Sequence, residues 1–288
     1  MRSRTAAVLL AVLVAAAGIT GCGHKPLFNA PLAAERKPQP CTLRIQTPPS
    51  AVAILVHRDS ATSRAELRAL LLTAEPNEHF FLFKAATGKL VGSFTTPPGP
   101  ALPGPIPPPP LPSDPTQVQV DTYRQAAGPY DKALTLARAR LHLRWLSRLA
   151  IWASHVMNEV TSERPGPYME SEVPGLVRGL TASGSSITSL NNIPGIHLGP
   201  RIVVAVLGLN KVPTSSPPPL PSGVQEATIV VAGFTGNSSQ EVTWQSVWTR
   251  GGARRVVLLT PSTDDELPAV VASVLNQGSH HRRGTCAA

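Results

Sequence analysis

The sequence predicts an α/β protein built on a doubly wound, mostly parallel sheet with one antiparallel edge strand. Three observations carry that expectation. Apolar runs at 51–56, 201–209, 227–233 and 254–260 are continuous rather than alternating, as strands covered on both faces require. Helix-start spacings follow three of them: Ser63 with Glu66, Ser238 with Glu241, and Ser262 with Asp265. Two further strand-like runs, 79–84 and 89–95, are joined by Ala85-Ala86-Thr87-Gly88, a hairpin turn that makes the second strand antiparallel. Strands alternating with helices give a parallel sheet with right-handed crossovers. The core order then reads β-α-β-β-α-(α)-β-α-β-α.

At the N-terminus, Arg2 and Arg4 precede an apolar stretch, 5–19. It is too short for a typical bilayer-spanning helix and has the layout of a secretory leader over 1–21. The stretch ends Ile19-Thr20-Gly21-Cys22, which closely resembles the lipobox of bacterial lipoproteins. That resemblance implies a lipid on Cys22 as the first residue of the mature chain, anchoring the rest to the extracytoplasmic face of the cell membrane. The competing possibility is an uncleaved anchor with a chance cysteine. Residues 22–50 are polar and Pro-dotted, with a short possible strand at 42–46, and read as a tether. The part before Cys41 can reach roughly 60 Å when extended. The two other cysteines, Cys41 and Cys286, lie near the two ends of the mature chain. In an oxidising compartment they suggest a disulfide, and two unpaired thiols are the alternative.

The domain proper is expected over 51–276. Its first strand leads into a helix ending near Ala74, with Leu67, Leu70 and Leu71 on one face. Residues 97–115 are dominated by Pro and Gly and read as a polyproline-type spacer or surface excursion. The longest helix is expected over 130–160. Leu136, Ala139, Leu143, Leu146, Ala150, Ala153, Met157 and Val160 are spaced as its core stripe. Arg140, Arg144 and Arg148 recur on the opposite face, either as the wet side of a surface helix or as a row that meets anionic lipid or polymer. A shorter helix over 173–182 and a hydroxyl-rich turn over 183–189 precede the second buried strand. After a Pro-rich loop, 213–221, and the third strand comes a helix carrying Trp244, Val247 and Trp248, which Gly251-Gly252 stop. The fourth buried strand and a last helix through about Asn276 follow, and 277–288 is a basic tail containing His280-His281.

Charge narrows the partners. With 26 Lys and Arg against 17 Asp and Glu the formal charge is +9, a surface suited to anionic lipid, cell-wall polymer or nucleic acid. No zinc-ligand spacing, no basic helix interleaved with aromatics and no RNA-binding signature supports nucleic acid. The partners that remain are the membrane, through the lipid on Cys22, and an envelope protein or cell-wall polymer.

Topology and spacing over 51–276, most strongly over 201–262, resemble a von Willebrand factor type A domain. There a strand ends Leu207-Gly208-Leu209-Asn210, Ser222-Gly223-Val224 precedes the next strand, and a Trp-bearing helix, Gly-Gly-Ala and a strand follow. The resemblance implies a sheet order 3-2-1-4-5-6 and a divalent-cation site at the switch point between the first and fourth strands. Such a site takes Asp-x-Ser-x-Ser after the first strand, a Thr from a second loop and an Asp after the fourth strand, hard oxygen ligands that suit Mg²⁺. Here Asp59 and Ser63 match the ends of the triplet, but Ala61 stands where a Ser is expected. The second loop offers Ser186 or Thr188, and Asn210 replaces the Asp. One carboxylate instead of two halves the fixed negative charge, and Arg58 adjoins the survivor. The expected site, Asp59, Ser63, Thr188 and Asn210, is therefore degenerate and Mg²⁺ gains little there. Asp59 and Ser63 as caps of the following helix are the plainer role.

Other chemistry is thin. Gly233-Phe234-Thr235-Gly236 lacks a phosphate-binding lysine, no Gly-x-Ser-x-Gly elbow occurs, and the histidines show no ligand spacing. Asp264, Asp265 and Glu266 fall in the first turn of a helix, where acids suit the macrodipole. The sequence therefore points to a lipid-anchored binding or scaffolding module. The alternative is an extracytoplasmic hydrolase on the same sheet using the Asp59 loop.

Overall fold

The computed structural model describes residues 41–58, 60–162, 172–209, 217–276 and 285–287, all within one compact unit, Pro40–Ala288. The leader, Cys22, Asp59, Asn210 and His280-His281 lie outside the described residues. In chain order the elements are β1 (Thr42–Arg44), β2 (Ser50–Val56), α1 (Ala61–Leu72), β3 (Glu78–Lys84), β4 (Lys89–Thr95) and β5 (Ala101–Pro103). They continue with α2 (Gln117–Ser162), α3 (Glu172–Asn191), β6 (Ile202–Leu207), β7 (Thr228–Val231), α4 (Ser238–Arg250), β8 (Arg255–Leu258), α5 (Leu267–Asn276) and β9 (Thr285–Ala287).

The central sheet has the order β4-β3-β2-β6-β7-β8. All neighbours in it are parallel except β3 and β4, which form the antiparallel hairpin. Both faces are covered, which is why the strand sequences are continuously apolar. Val52 and Ile54 pack with Leu67, Leu70, Leu71, Trp145 and Leu149 on one side. Ala51, Ala53 and Leu55 pack with Leu176, Leu180, Trp244 and Trp248 on the other. The protein is thus an α/β fold of three layers.

Five local expectations are corrected. First, the Pro-rich stretch is not a spacer throughout, and the short strand expected at 42–46, present as β1, belongs to a sheet rather than to a tether. β1, β5 and β9 form a second, antiparallel sheet in the order β5-β1-β9. Pro103 sits on its edge strand opposite Thr42, a position where the missing N–H costs no ladder bond. Second, part of the basic tail is strand β9, with Cys286 across from Leu43. Cys41 is disulfide-bonded.

Third, the long helix begins at Gln117 and carries Pro129 within it, exposed to water, where the freed carbonyl can be solvated. Its core stripe is Leu134, Leu141, Trp145, Leu149, Ala153 and Val156, whereas Leu136 and Leu143 are 60% and 62% exposed. The helix is apolar on two faces, and the one bearing Trp145 and Leu149 took the core. Trp152 reaches Phe80, with ring centroids 5.6 Å apart.

Fourth, 183–189 is not a turn but the second half of α3. Its hydroxyls bond back along the helix, Ser183 to the Leu180 carbonyl and Ser185 to that of Thr181, so they do not interrupt it. Fifth, the caps sit one to three residues earlier than expected. Ser60 caps α1 with Ser63 as its reciprocal partner, and Asn237 caps α4 with Gln240. No helix among the described residues is long and apolar enough to cross a membrane.

Candidate functional site

In an open α/β sheet the ligand crevice lies outside the carboxyl ends of the strands, where strand order reverses. Here that point is between β2 and β6. The end of β2 delivers His57 and Arg58 to it. His57 is 8% exposed, its amide bonds the Leu207 carbonyl at 2.9 Å, and its Nε2 has no partner among the described residues. Burial lowers its pKa to about 4. At the end of β6, Gly208 has φ +71, and a Cβ there would lie 2.7 Å from the Arg58 carbonyl oxygen. Only glycine permits this approach, and it draws the two strand ends together where a crevice would open.

Ser63 is buried, and its hydroxyl is fully committed to the cap. It donates to the Arg58 carbonyl at 2.7 Å and accepts from the Ser60 amide at 2.9 Å, with the Ser60 hydroxyl at 3.1 Å. A hydroxyl has one proton and two lone pairs, so Ser63 could meet a cation only by undoing the helix start. Ala61 supplies no oxygen. Thr188 is exposed in the last turn of α3. That helix runs away from the carboxyl edge: Gly179 packs on Leu55 and Ala85, while Gly184 packs on Ser222 and Gly223, ahead of β7. Thr188 therefore lies beyond Gly184, toward the amino edge of the sheet, and so does Ser186. Neither joins Ser63. Among the described residues no group of three or more His, Cys, Asp or Glu could hold a metal.

Among the described residues, Ser63 and Thr188 are not brought together as the Mg²⁺ set implied by the resemblance requires; Asp59 and Asn210 lie outside the described residues. Millimolar Mg²⁺ is accordingly expected to leave the melting temperature of the wild type unchanged. A rise that Asp59→Ala abolishes would restore the metal site, because a ligand bound only by the native state stabilises it.

The carboxyl edge holds a different pair of acids. Glu66, in the second turn of α1, is 9% exposed, and its Oε2 has no hydrogen-bond partner among the described residues. Burial first, and the nearby charge of Asp264 second, raise its pKa to about 7. Asp264 opens the 3-10 turn after β8, and its Oδ1 accepts the Gly233 amide at 2.8 Å. Burial raises its pKa as well, against the pull of that amide. A carboxyl that titrates near neutrality can hold or pass a proton. Among the described residues, neither acid has a positioned hydroxyl or thiol nucleophile hydrogen-bonded to it. A signal for Glu66 existed in the sequence: it shares a helix face with Ser63 and Leu70, so the charge sits within the buried stripe rather than outside it.

Comparison with protein-family models, curated proteins and solved structures finds no match to this chain.

Proposed function

We propose that the chain is a lipid-anchored, extracytoplasmic binding or scaffolding module of a bacterial envelope, built on a von Willebrand factor type A-like domain with a degenerate metal site. The sheet order, with the two central strands reversing direction of progression and one antiparallel edge, is the observation that supports the domain assignment. The commitment of Ser63 to the helix cap supports binding without a metal. The membrane is the first partner, through the lipid on Cys22, and an envelope protein or wall polymer is the second. The disulfide of Cys41 is assigned to Cys286. The strand register sets Cys286 opposite Leu43, two residues from Cys41 along the same strand face.

Intact-mass analysis of the protein extracted from membranes tests both covalent assignments. The expected mass is that of the chain from Cys22 onward plus a diacylglyceryl lipid, less two hydrogens for the Cys41–Cys286 bond. Cys22→Ala should remove the lipid and release or mislocalise the protein. An unlipidated wild type, or unchanged membrane retention of the variant, would overturn the anchor.

A further inference from the structure

Arg140, Arg144 and Arg148 line one side of α2, and all three are exposed. On a helix of 3.6 residues per turn, Ile151 falls among them and Leu136 and Leu143 lie on their immediate flank. Leu136, Leu143 and Ile151 are 60–62% exposed, so the face turned from the core is apolar at its centre and cationic along one side. No Asp or Glu occurs between Asp131 and Glu159, an interval that also carries Lys132 and Arg138. The buried residues of α2, Leu134, Leu141, Trp145, Leu149, Ala153 and Val156, form one stripe, which leaves this outer face uncovered over several turns.

We infer that the outer face of α2 lies on an anionic phospholipid surface, with Leu136, Leu143 and Ile151 at the acyl boundary and Arg140, Arg144 and Arg148 among the headgroups. Charge complementarity commits the face to this occupant. A second copy of the chain would bring the three arginines against their own kind across an interval that holds no acid. A wall polymer would satisfy the arginines but leave the leucines and isoleucine in water, whereas a bilayer meets both demands of a basic amphipathic helix. The proposed anchor bears on this only by proximity, since a tether of at most roughly 60 Å keeps the domain beside the bilayer.

Sedimentation of the purified full chain with vesicles of phosphatidylcholine, with and without phosphatidylglycerol, tests the inference. The quantity that matters is the gain in binding on adding phosphatidylglycerol, which any lipid or leader at the N-terminus contributes to equally in all variants. That gain is expected in the wild type and should fall on the order of tenfold or more in Arg140→Glu/Arg144→Glu/Arg148→Glu. Leu136→Ser/Leu143→Ser should weaken it too. Both variants alter exposed positions, so their melting temperatures should match the wild type. An undiminished gain in either properly folded variant overturns the proposal, the second by pointing to charge attraction alone. A dimer in sedimentation velocity that the leucine variant dissolves overturns it in favour of a second copy. Cys22→Ala separates the two claims: it tests the anchor and leaves the phosphatidylglycerol-dependent gain in place.

Discussion

A Glu78→Gln variant is expected to lose less stability than the wild type as the pH rises from 7 to 8. Glu78 heads β3 opposite Ser50 and is 1% exposed. Burial raises its pKa to about 8 from an ordinary 4.5; a backbone hydrogen bond at Glu75 and the charge of Arg201 pull it down, and the charge of Glu75 pushes it up. The folded state therefore holds a proton that the unfolded chain has released anywhere between those two values. Its stabilising effect is complete below 4.5 and lost as the pH climbs through 8, at about 1.4 kcal/mol per pH unit.

Two other buried groups, at the opposite edge of the sheet, carry large shifts of different sign. His57, lowered to about 4, favours folding above 6.5 and loses that contribution as the pH falls toward 4. Glu66, raised to about 7, follows Glu78 but finishes earlier. Glu66 finishes its titration alike in both proteins, so the difference between wild type and variant over 7 to 8 isolates Glu78. The neutral amide should make the variant more stable than wild type at pH 8 by on the order of 2 kcal/mol, read from denaturant melts at both pH values. Parallel pH profiles for the two proteins would show that the carboxyl is not the source.

Arg201 explains why a buried acid is tolerated at the amino edge at all. Its guanidinium donates to the Leu275 carbonyl and to that of Pro48, joining the end of α5 to the segment that enters β2. The charge is held by carbonyls first and faces the acid second, so most of its bonding survives when Glu78 is neutral. Breaking a fully formed buried ion pair would be far more costly.

How much of this was legible in the sequence differs by layer. The strands were, because residues buried on both sides have to be apolar, as Val52, Ile54, Val203 and Ile229 are; their order was an expectation of the family resemblance alone. The hairpin was legible from Gly88, whose φ of +67 the turn requires. The face of α2 was not. Leu136 and Leu143 satisfy helical periodicity as well as Leu141, Trp145 and Leu149 do, and periodicity fixes a stripe without saying which of two stripes is covered. The small sheet was hidden for another reason. A strand at 42–46 is legible, but three-residue strands such as Ala101–Pro103 and Thr285–Ala287 carry no alternation to detect, and their pairing spans most of the chain. At the candidate site, the Asp59 loop was found from its position after a buried strand. The pair Glu66 and Asp264 was missed because capping spacing offered Glu66 an exposed role that Ser60 and Ser63 already fill.

Gly184→Ala and Gly223→Ala are each expected to destabilise the fold, and together by less than the sum of their separate effects. Gly184 lies mid-helix in α3, where alanine is ordinarily better than glycine by about 1 kcal/mol. Its added Cβ would sit 2.6 Å from the Ser222 carbonyl oxygen. The obstacle is backbone and cannot rotate away, so overpacking of roughly 1–3 kcal/mol outweighs the gain in helix propensity. Gly223 faces the same contact from the other side. Its Cβ would lie 2.6 Å from the Gly184 carbonyl oxygen, and its φ of +93 is a conformation that L side chains rarely adopt. The two penalties bring its expected loss to about 3 kcal/mol. Once either substitution has pushed α3 away from the loop ahead of β7, the second has less contact left to break. A double-mutant cycle should therefore show a coupling of at least about 0.5 kcal/mol. Urea melts of the four proteins measure it. A Gly184→Ala variant more stable than wild type would mean that helix propensity wins, and that α3 does not rest on this loop as closely as the two glycines allow.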